Sequence, residues 1–552
     1  MSPMNDEHQA RWQRAVRQDK LVASGALAAK IDGRQVALFQ AGDGTVHACN
    51  NRCPHEGYPL CEGHVADDGV LTCRWHNWKF DLRTGANLYG GDGLRLYPAE
   101  VRDDGHVWVD TADEPAAKRQ ARALSALVEA GEDEDRARIA RELARLERDG
   151  GSLKQAIAHV VDAGHARLRY GMTHAHAAAE CWLRLRAECD DPVQRLACGS
   201  EALGYLGREV MREPLRPYAE GEAAWSEAGF LAAIEAQDEA AAVTRLHGAL
   251  RTGLGLQALL PTLVQAALAH YNDFGHTLIY VSHLPGLVRQ LGADALRPLL
   301  RAWVRSAVYA TREDLLPDFK SYAPALDAWP AGPGARDIGG GHVASAQPLD
   351  PAAFEALSVR DTLSAVIRAA ATHRHAVLHE SLLAAGAHHL LRYDSAVGER
   401  VDNAVADNVG WLDFSHAITF AHALRQLLPQ HSPLWREGLL QMAMFMGRNT
   451  PYLQTGISTP QALQRWQVDD AAAFDARCRA QVLDHGLGLD IFPVHWLKTW
   501  MAVRGEVGAG IAPATAASLR AALNRLFAAR FKQRHAMRMA HQALAIVSRE
   551  AG

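Results

Sequence analysis

Two short strings in the first hundred residues combine the side chains that bind transition metals most readily. Cys53-Pro54-His55 supplies one thiolate and one imidazole; Cys73-Arg74-Trp75-His76, separated from His55 by seventeen residues, supplies another of each. Two separate loops that each offer one Cys and one His suit a [2Fe–2S] centre with Cys₂ on one iron and His₂ on the other. Cys₂His₂ is also a zinc set, but a zinc finger spaces its His pair three to five residues apart on one helix. Here each Cys has its own His in a strand-and-turn region, so Cys53, His55, Cys73 and His76 are expected to hold an iron–sulfur cluster.

A second group of chemistry-bearing residues follows residue 150, where most of the 27 His fall. A lone His on an apolar helix is ordinarily a satisfied core or surface residue, so only grouped histidines carry weight. Four stretches qualify: THAHAAAECWLRL (His174, His176), LAHYNDFGHTLIYVSHL (His270, His276, His283), DFSHAITFAHALRQLLP (His416, His422) and IFPVHWLKTWMAV (His495, Lys498). His495 and Lys498 lie three apart, on one helical face. His373, His375 and His379 form a reserve group. Asp162, Asp273 and Asp413 each stand three residues before a His, a spacing that serves either a carboxylate orienting the ring or a helix N-cap. No Glu-x-x-His occurs, which disfavours a ferritin-like di-iron carboxylate site.

Lys498 is the only formal charge between Ile491 and Val503. An unpaired ammonium buried among Trp, Leu, Met and Val costs several kcal/mol. Three escapes exist: the side chain snorkels to water, which is the ordinary outcome; it is neutral; or CO₂ converts it to a carbamate, an anionic oxygen ligand.

The elements that must position these residues are of two kinds. From Leu21 to Asp110 apolar and polar residues alternate between turn signals such as Asp32-Gly33, Asp43-Gly44, Asp68-Gly69, Thr84-Gly85 and Asp104-Gly105, the pattern of a small antiparallel β domain. LAAKIDGRQVALFQ and EVRDDGHVWVD read as hairpins. Residues 112–149 are rich in Ala, Arg, Glu and Leu at helical spacing and end at Gly150-Gly151; they read as one or two connecting helices with a solvated, charged surface. Beyond Ser152 nearly every segment reads as helix. The expected organisation is a β domain over 1–110, a helical linker over 111–151 and a large all-α domain over 152–552 with a His-rich metal site. Trp329 to Ala353 is too rich in Gly and Pro for a helix and is expected to be a lid or surface loop; GARDIGGGH within it lacks the context of a phosphate loop.

Composition excludes several classes. A net charge of −5 and a pI near 6.6, with no long basic block, argue against a nucleic-acid partner. Eight scattered Cys do not make a disulfide framework. The N-terminal residues lack the pattern of a signal peptide, and no run of eighteen apolar residues occurs, so a soluble cytoplasmic protein with no membrane partner is expected.

The cluster loops CPHEGYPL and CRWHNWKFDLRTG resemble those of Rieske proteins. The respiratory members carry an additional, disulfide-paired Cys in each loop; Tyr58 and Trp75 stand at those places, so the loops are similar to the Rieske ferredoxin and oxygenase type. In the helical part, GHTLIYVSH, HAITFAHALRQLLP and HWLK resemble the questin oxidase family, cofactor-independent or iron-dependent oxygenases of aromatic polyketides. In the iron-containing members several His and a carboxylated Lys hold a mononuclear iron. That resemblance implies His276, His416, His495 and Lys498 as ligands, with His174 from the first group; His176, His270, His375, His379 and His422 are in reserve. Together the two resemblances imply a Rieske-fused non-haem iron oxygenase. It would use a [2Fe–2S] cluster, a mononuclear Fe(II) and O₂, with an organic substrate and an NAD(P)H-dependent reductase or ferredoxin as electron donor, in a chain able to form homo-oligomers. The rival readings are an electron-transfer or redox-sensing protein whose helical domain binds a partner and no metal, and a metal-dependent hydrolase.

Overall fold

The computed structural model describes residues 10–210, 212–330, 349–429 and 432–550, divided into two compact units, Met1–Ala156 and Ile157–Gly552. Most of the Gly- and Pro-rich stretch expected as a lid, 331–348, lies outside the described residues.

The first unit is a small antiparallel β domain. Among the described residues, ten strands, β1 (Trp12–Arg17), β2 (Ala26–Ile31), β3 (Arg34–Gln40), β4 (Val46–Asn50), β5 (His64–Val65), β6 (Val70–Thr72), β7 (Lys79–Asp81), β8 (Leu96–Tyr97), β9 (Ala99–Val101) and β10 (His106–Asp110), form three sheets ordered β1-β10-β9, β2-β3-β4-β8 and β5-β6-β7. Both expected hairpins form, as β2–β3 and β9–β10. Asp32 and Gly33 link the first of them at φ 51° and 77°, the left-handed pair that a two-residue hairpin turn needs to match strand twist. Strand β3 is buried on both faces: Ala37 and Phe39 enter a core with Cys49, Leu60, Leu71 and Phe80, while Val36 and Leu38 enter another with Val107 and Val109.

Helices Ala116–Glu132 and Arg136–Arg148 belong to this unit and pack on each other. Their charged surface is not simply solvated, as composition suggested. Asp92 follows Tyr89-Gly90-Gly91, has a fully buried carboxylate, and takes Arg141 at 2.6 Å and Arg145 at 2.5 Å. Burial pushes the Asp92 carboxyl up, but these two guanidinium groups outweigh it and hold the group below its ordinary range.

The second unit is helical. Four of its helices, His174–Ala187, His276–Leu291, Trp411–Leu427 and Ile491–Gly508, pack each against the next and the last against the first. Each is buried nearly all round in its middle turns, as expected of helices at the centre of a large all-α domain. Among the described residues no helix is long and apolar enough to cross a membrane.

Candidate metal centres

The two cluster loops share one backbone design. Cys53 N–H donates to Tyr58 O and Gly57 N–H to Cys53 O; in the other loop Cys73 N–H donates to Trp78 O and Asn77 N–H to Cys73 O, all at 2.8–3.0 Å. Each loop turns at a left-handed residue four places past its Cys, Gly57 at φ 78° and Asn77 at φ 58°, positions open to Gly and, more rarely, Asn. The first loop leaves β4; the second is the turn of the β6–β7 hairpin. Together they bring His55 Nδ1 within 3.0 Å of His76 Nδ1 while the two thiols stay inside. Burial pushes the Cys53 thiol up to about 11, so a thiolate there requires a positive centre. Trp78 stacks on the His55 ring at 4.5 Å, His76 is exposed, and Trp75 is 57 % exposed beside it.

In the helical unit, His174 and His276 stand at the first turn of their helices, and His416 and His495 lie inside theirs. His276 Nε2 is 3.0 Å from His174 Nε2 and 2.8 Å from His416 Nε2. The His495 ring centre lies 4.8 Å from that of His416 and 5.1 Å from that of His174. The tautomers follow from the other nitrogens. His416 Nδ1–H donates to Leu412 O at 2.8 Å. Ser415 Oγ donates to Leu412 O and therefore accepts from His495 Nδ1–H at 2.8 Å. Nε2 is thus left as a lone pair in both rings, and that of His495 is buried without a hydrogen-bond partner. Burial pulls His276 down to about 3 and holds His174, His416 and His495 well below the ordinary imidazole value, so all four are neutral donors at pH 7.

Lys498 is 3 % exposed, and its Nζ has no hydrogen-bond partner. The snorkelling outcome therefore does not occur: residues 493–503 of the helix Ile491–Gly508 are buried all round, and the side-chain amine is cut off from water. The carboxylate Glu180 on the His174 helix is already engaged by His283 at 3.2 Å. Burial lowers the Lys498 ammonium to about 8.

His276 is delivered by an unusual turn. Asp273, Phe274 and Gly275 occupy successive left-handed conformations at φ 44°, 50° and 73°; for the two non-glycine residues this costs about 1–2 kcal/mol each. The Glu313 carboxyl accepts the Phe274 N–H on both oxygens at 3.2 Å, and Arg448 lies 4.2 Å over the Phe274 ring. Burial pushes Glu313 up to about 8. A Cβ on Gly275 would meet Phe420 at 2.5 Å, so the glycine is required for space as well as for φ.

The Asp residues three before a His behave differently from one another. Asp413 accepts from Gly410 N–H at 2.7 Å, an N-terminal cap, and also holds Arg448. Asp273 lies 3.7 Å from His276 Nδ1, and Asp162 presents its backbone carbonyl to His165. The reserve histidines have work elsewhere: His176 caps its own helix, His270 pairs with Glu235 and Asp314, His379 bonds Ala421 O, and His422 pairs with Glu506. His375 lies between the rings of Trp329 and Trp435. Sequence reading missed Ser415, Tyr280, whose hydroxyl is 3.5 Å from His174 Nδ1, and Glu313. Ser415 adjoins His416 and Tyr280 follows His276 by four, so both were open to a helical-spacing argument. Glu313 was not, because it arrives from another segment.

Residues 11–90 match the Rieske [2Fe-2S] domain family. The ferredoxin component of an alkene monooxygenase system from Xanthobacter autotrophicus is 33 % identical over 84 residues, 15 % of this chain and 68 % of that protein. The ferredoxin subunit of 3-phenylpropionate/cinnamic acid dioxygenase from Escherichia coli is 37 % identical over 77 residues, 14 % of this chain and 71 % of its own. A 4beta-methylsterol monooxygenase from Methylococcus capsulatus is 47 % identical over 92 residues, but the match spans only 24 % of that enzyme.

Proposed function

Because the N-terminal unit belongs to the Rieske [2Fe–2S] family, with relatives that are components of oxygenase systems, we propose that the chain is a Rieske-fused non-haem iron oxygenase. Cys53, His55, Cys73 and His76 hold the cluster; His174, His276, His416, His495 and Lys498 hold one mononuclear iron. The observation that carries this reading is the meeting of the His174, His276 and His416 nitrogens in one cluster, with the charge of a buried, unpartnered lysine acting on all three.

The donor set fits a metal ion. The His276 Nε2 atom stands 2.8–3.0 Å from Nε2 of His416 and of His174, and two nitrogens bound at right angles to one cation at about 2.1 Å stand about 3 Å apart. Four neutral donors leave the charge of a dication uncompensated. Lys498 corrects this as a carbamate: its unprotonated Nζ bonds to the carbon of CO₂ and loses a proton, turning a repelled cation into an anionic oxygen donor. When bound, the two iron groups supply single-electron transfer and oxygen activation.

The remaining work belongs to the polypeptide. Leu412 O and Ser415 fix the His416 and His495 tautomers, the hydrogen bonding by which proteins orient metal-binding imidazoles. Phe274 stands beside the His416 ring and Tyr280 beside the His174 and His276 rings, which limits water. Exposed His76 and Trp75 offer an edge to an electron donor, a ferredoxin or an NAD(P)H-dependent reductase. The resemblance of GHTLIYVSH, HAITFAHALRQLLP and HWLK to questin oxidases supports an aromatic or polyketide-like substrate. An electron carrier with a metal-free helical unit would leave the convergent lone pairs and the buried amine without a purpose.

The test is elemental. Purified protein should contain three irons and two sulfides per chain, and His276→Ala or His416→Ala should remove one iron while the reduced-state EPR signal of the cluster persists. Two irons in the native protein, both accounted for by the cluster, would overturn the proposal.

A further inference from the structure

A second constellation lies among residues not assigned to either iron group. His388, on helix His375–Arg392, donates Nδ1–H to Glu355 Oε1 at 2.5 Å and accepts at Nε2 from Ser518 Oγ at 3.0 Å. The carboxylate fixes the imidazole tautomer, and the free nitrogen faces a hydroxyl. This is the order of contacts by which a base activates a serine and is itself oriented by an acid, a relationship recognised by geometry rather than by fold. Glu355 is held in turn by Thr459 Oγ1–H at 2.7 Å.

Two further observations set this apart from a histidine that merely bridges two helices. Hydroxyls inside helices of this protein commonly donate to the carbonyl four residues back, as Ser200, Ser364, Ser381 and Thr362 do. Ser518, in the interior of helix Pro513–Phe527, is bonded instead to His388. Moreover, Ser518 and His388, 6 % and 8 % exposed, both line a cavity of about 760 Å³. Its walls include Val377, Ala384, Leu463 and Ala521, with the polar residues Gln464 and Arg520. A largely apolar cavity with a few polar groups in its wall is the usual form of a small-molecule site.

We propose that Ser518, His388 and Glu355 form a hydrolytic site for carboxylic esters whose acyl part is apolar. Ser518 Oγ attacks the ester carbonyl carbon while its proton passes to His388 Nε2. The bond from carbonyl carbon to alcohol oxygen breaks, and His388 returns the proton to the departing alcohol. Water then attacks the acyl-Ser518 ester, giving its proton to His388 and thence to Ser518 Oγ. The sum is ester plus water to acid plus alcohol, with no change of oxidation state. Glu355 is a positioning residue, acting through His388.

The full-length protein is incubated with a biotinylated fluorophosphonate and, separately, with p-nitrophenyl butyrate. The expected results are a single covalent label, mapped by mass spectrometry to Ser518, and ester turnover that falls at least about a hundredfold in Ser518→Ala, which removes the nucleophile. Glu355→Gln should lower kcat with KM unchanged, and Glu355→Asp should restore part of the loss. Circular dichroism confirms that the variants fold, and labelling of the native chain needs no variant. No label on Ser518, together with equal ester turnover by the native protein and Ser518→Ala, would overturn the proposal.

Discussion

At Lys498 the amine and the imidazoles around it impose a definite pH dependence. Burial brings the ammonium down to about 8, and only the unprotonated amine reacts with CO₂. Bicarbonate-assisted iron loading should therefore rise between about pH 7 and about pH 9, against an unperturbed lysine value of about 10.4. Linkage gives the same sign for stability. The folded value lies below the unfolded one, so the cost of the buried ammonium is fully present below about pH 8 and disappears above about pH 10.4. In Lys498→Ala, iron measured after loading should fall several-fold and the bicarbonate effect should vanish. Unchanged iron and turnover would mean that the lysine is no ligand. The histidines were legible because each sits on a helical period among apolar residues, and Lys498 because it is a lone charge in such a run. What was not legible is that it has no outlet, since enclosure depends on neighbours remote in sequence.

Helices and turns set those residues in place, and here the long-range contacts dominate. Replacing Asp92 by Asn keeps its shape but leaves Arg141 and Arg145 without their buried counter-charge. The loss should be on the order of 1–3 kcal/mol, because both arginines reach solvent and Arg145 keeps Glu142, seen as a lower thermal midpoint of the first unit followed by the visible circular dichroism of its cluster. Because the folded carboxyl value is depressed, the contribution is present above the unfolded value of about 3.9 and is lost as pH falls through the folded one, so native and variant should converge in acid. Composition described residues 112–149 as charged helices, which they are, but gave no sign that Asp92 would draw two of the arginines inward. The Asp273-Phe274-Gly275 turn is similar. DFG before a His hints at a break, yet the Glu313 carboxyl that secures it lies some forty residues away.

For the whole molecule the expectation is independence of the two units. His76→Ala should abolish the reduced-state EPR signal of the cluster yet leave the far-ultraviolet circular dichroism and the third iron of the helical unit intact; loss of both together would mean that one unit cannot fold without the other. The β domain was legible throughout, because its turns and ligands are local in sequence. The division of the chain was less so: composition changes at Thr111, whereas the first compact unit runs to Ala156. The Asp92 clasp makes that difference matter for the history of such a chain. A β domain cut at Asp110 would leave the Asp92 carboxylate stranded without its two arginines, whereas exchange in the glycine pair at 150–151 carries the brace along with the module. Recombination that joined an electron-transfer module to a new partner would be tolerated there, and a gene shuffled at that glycine pair should yield coloured protein.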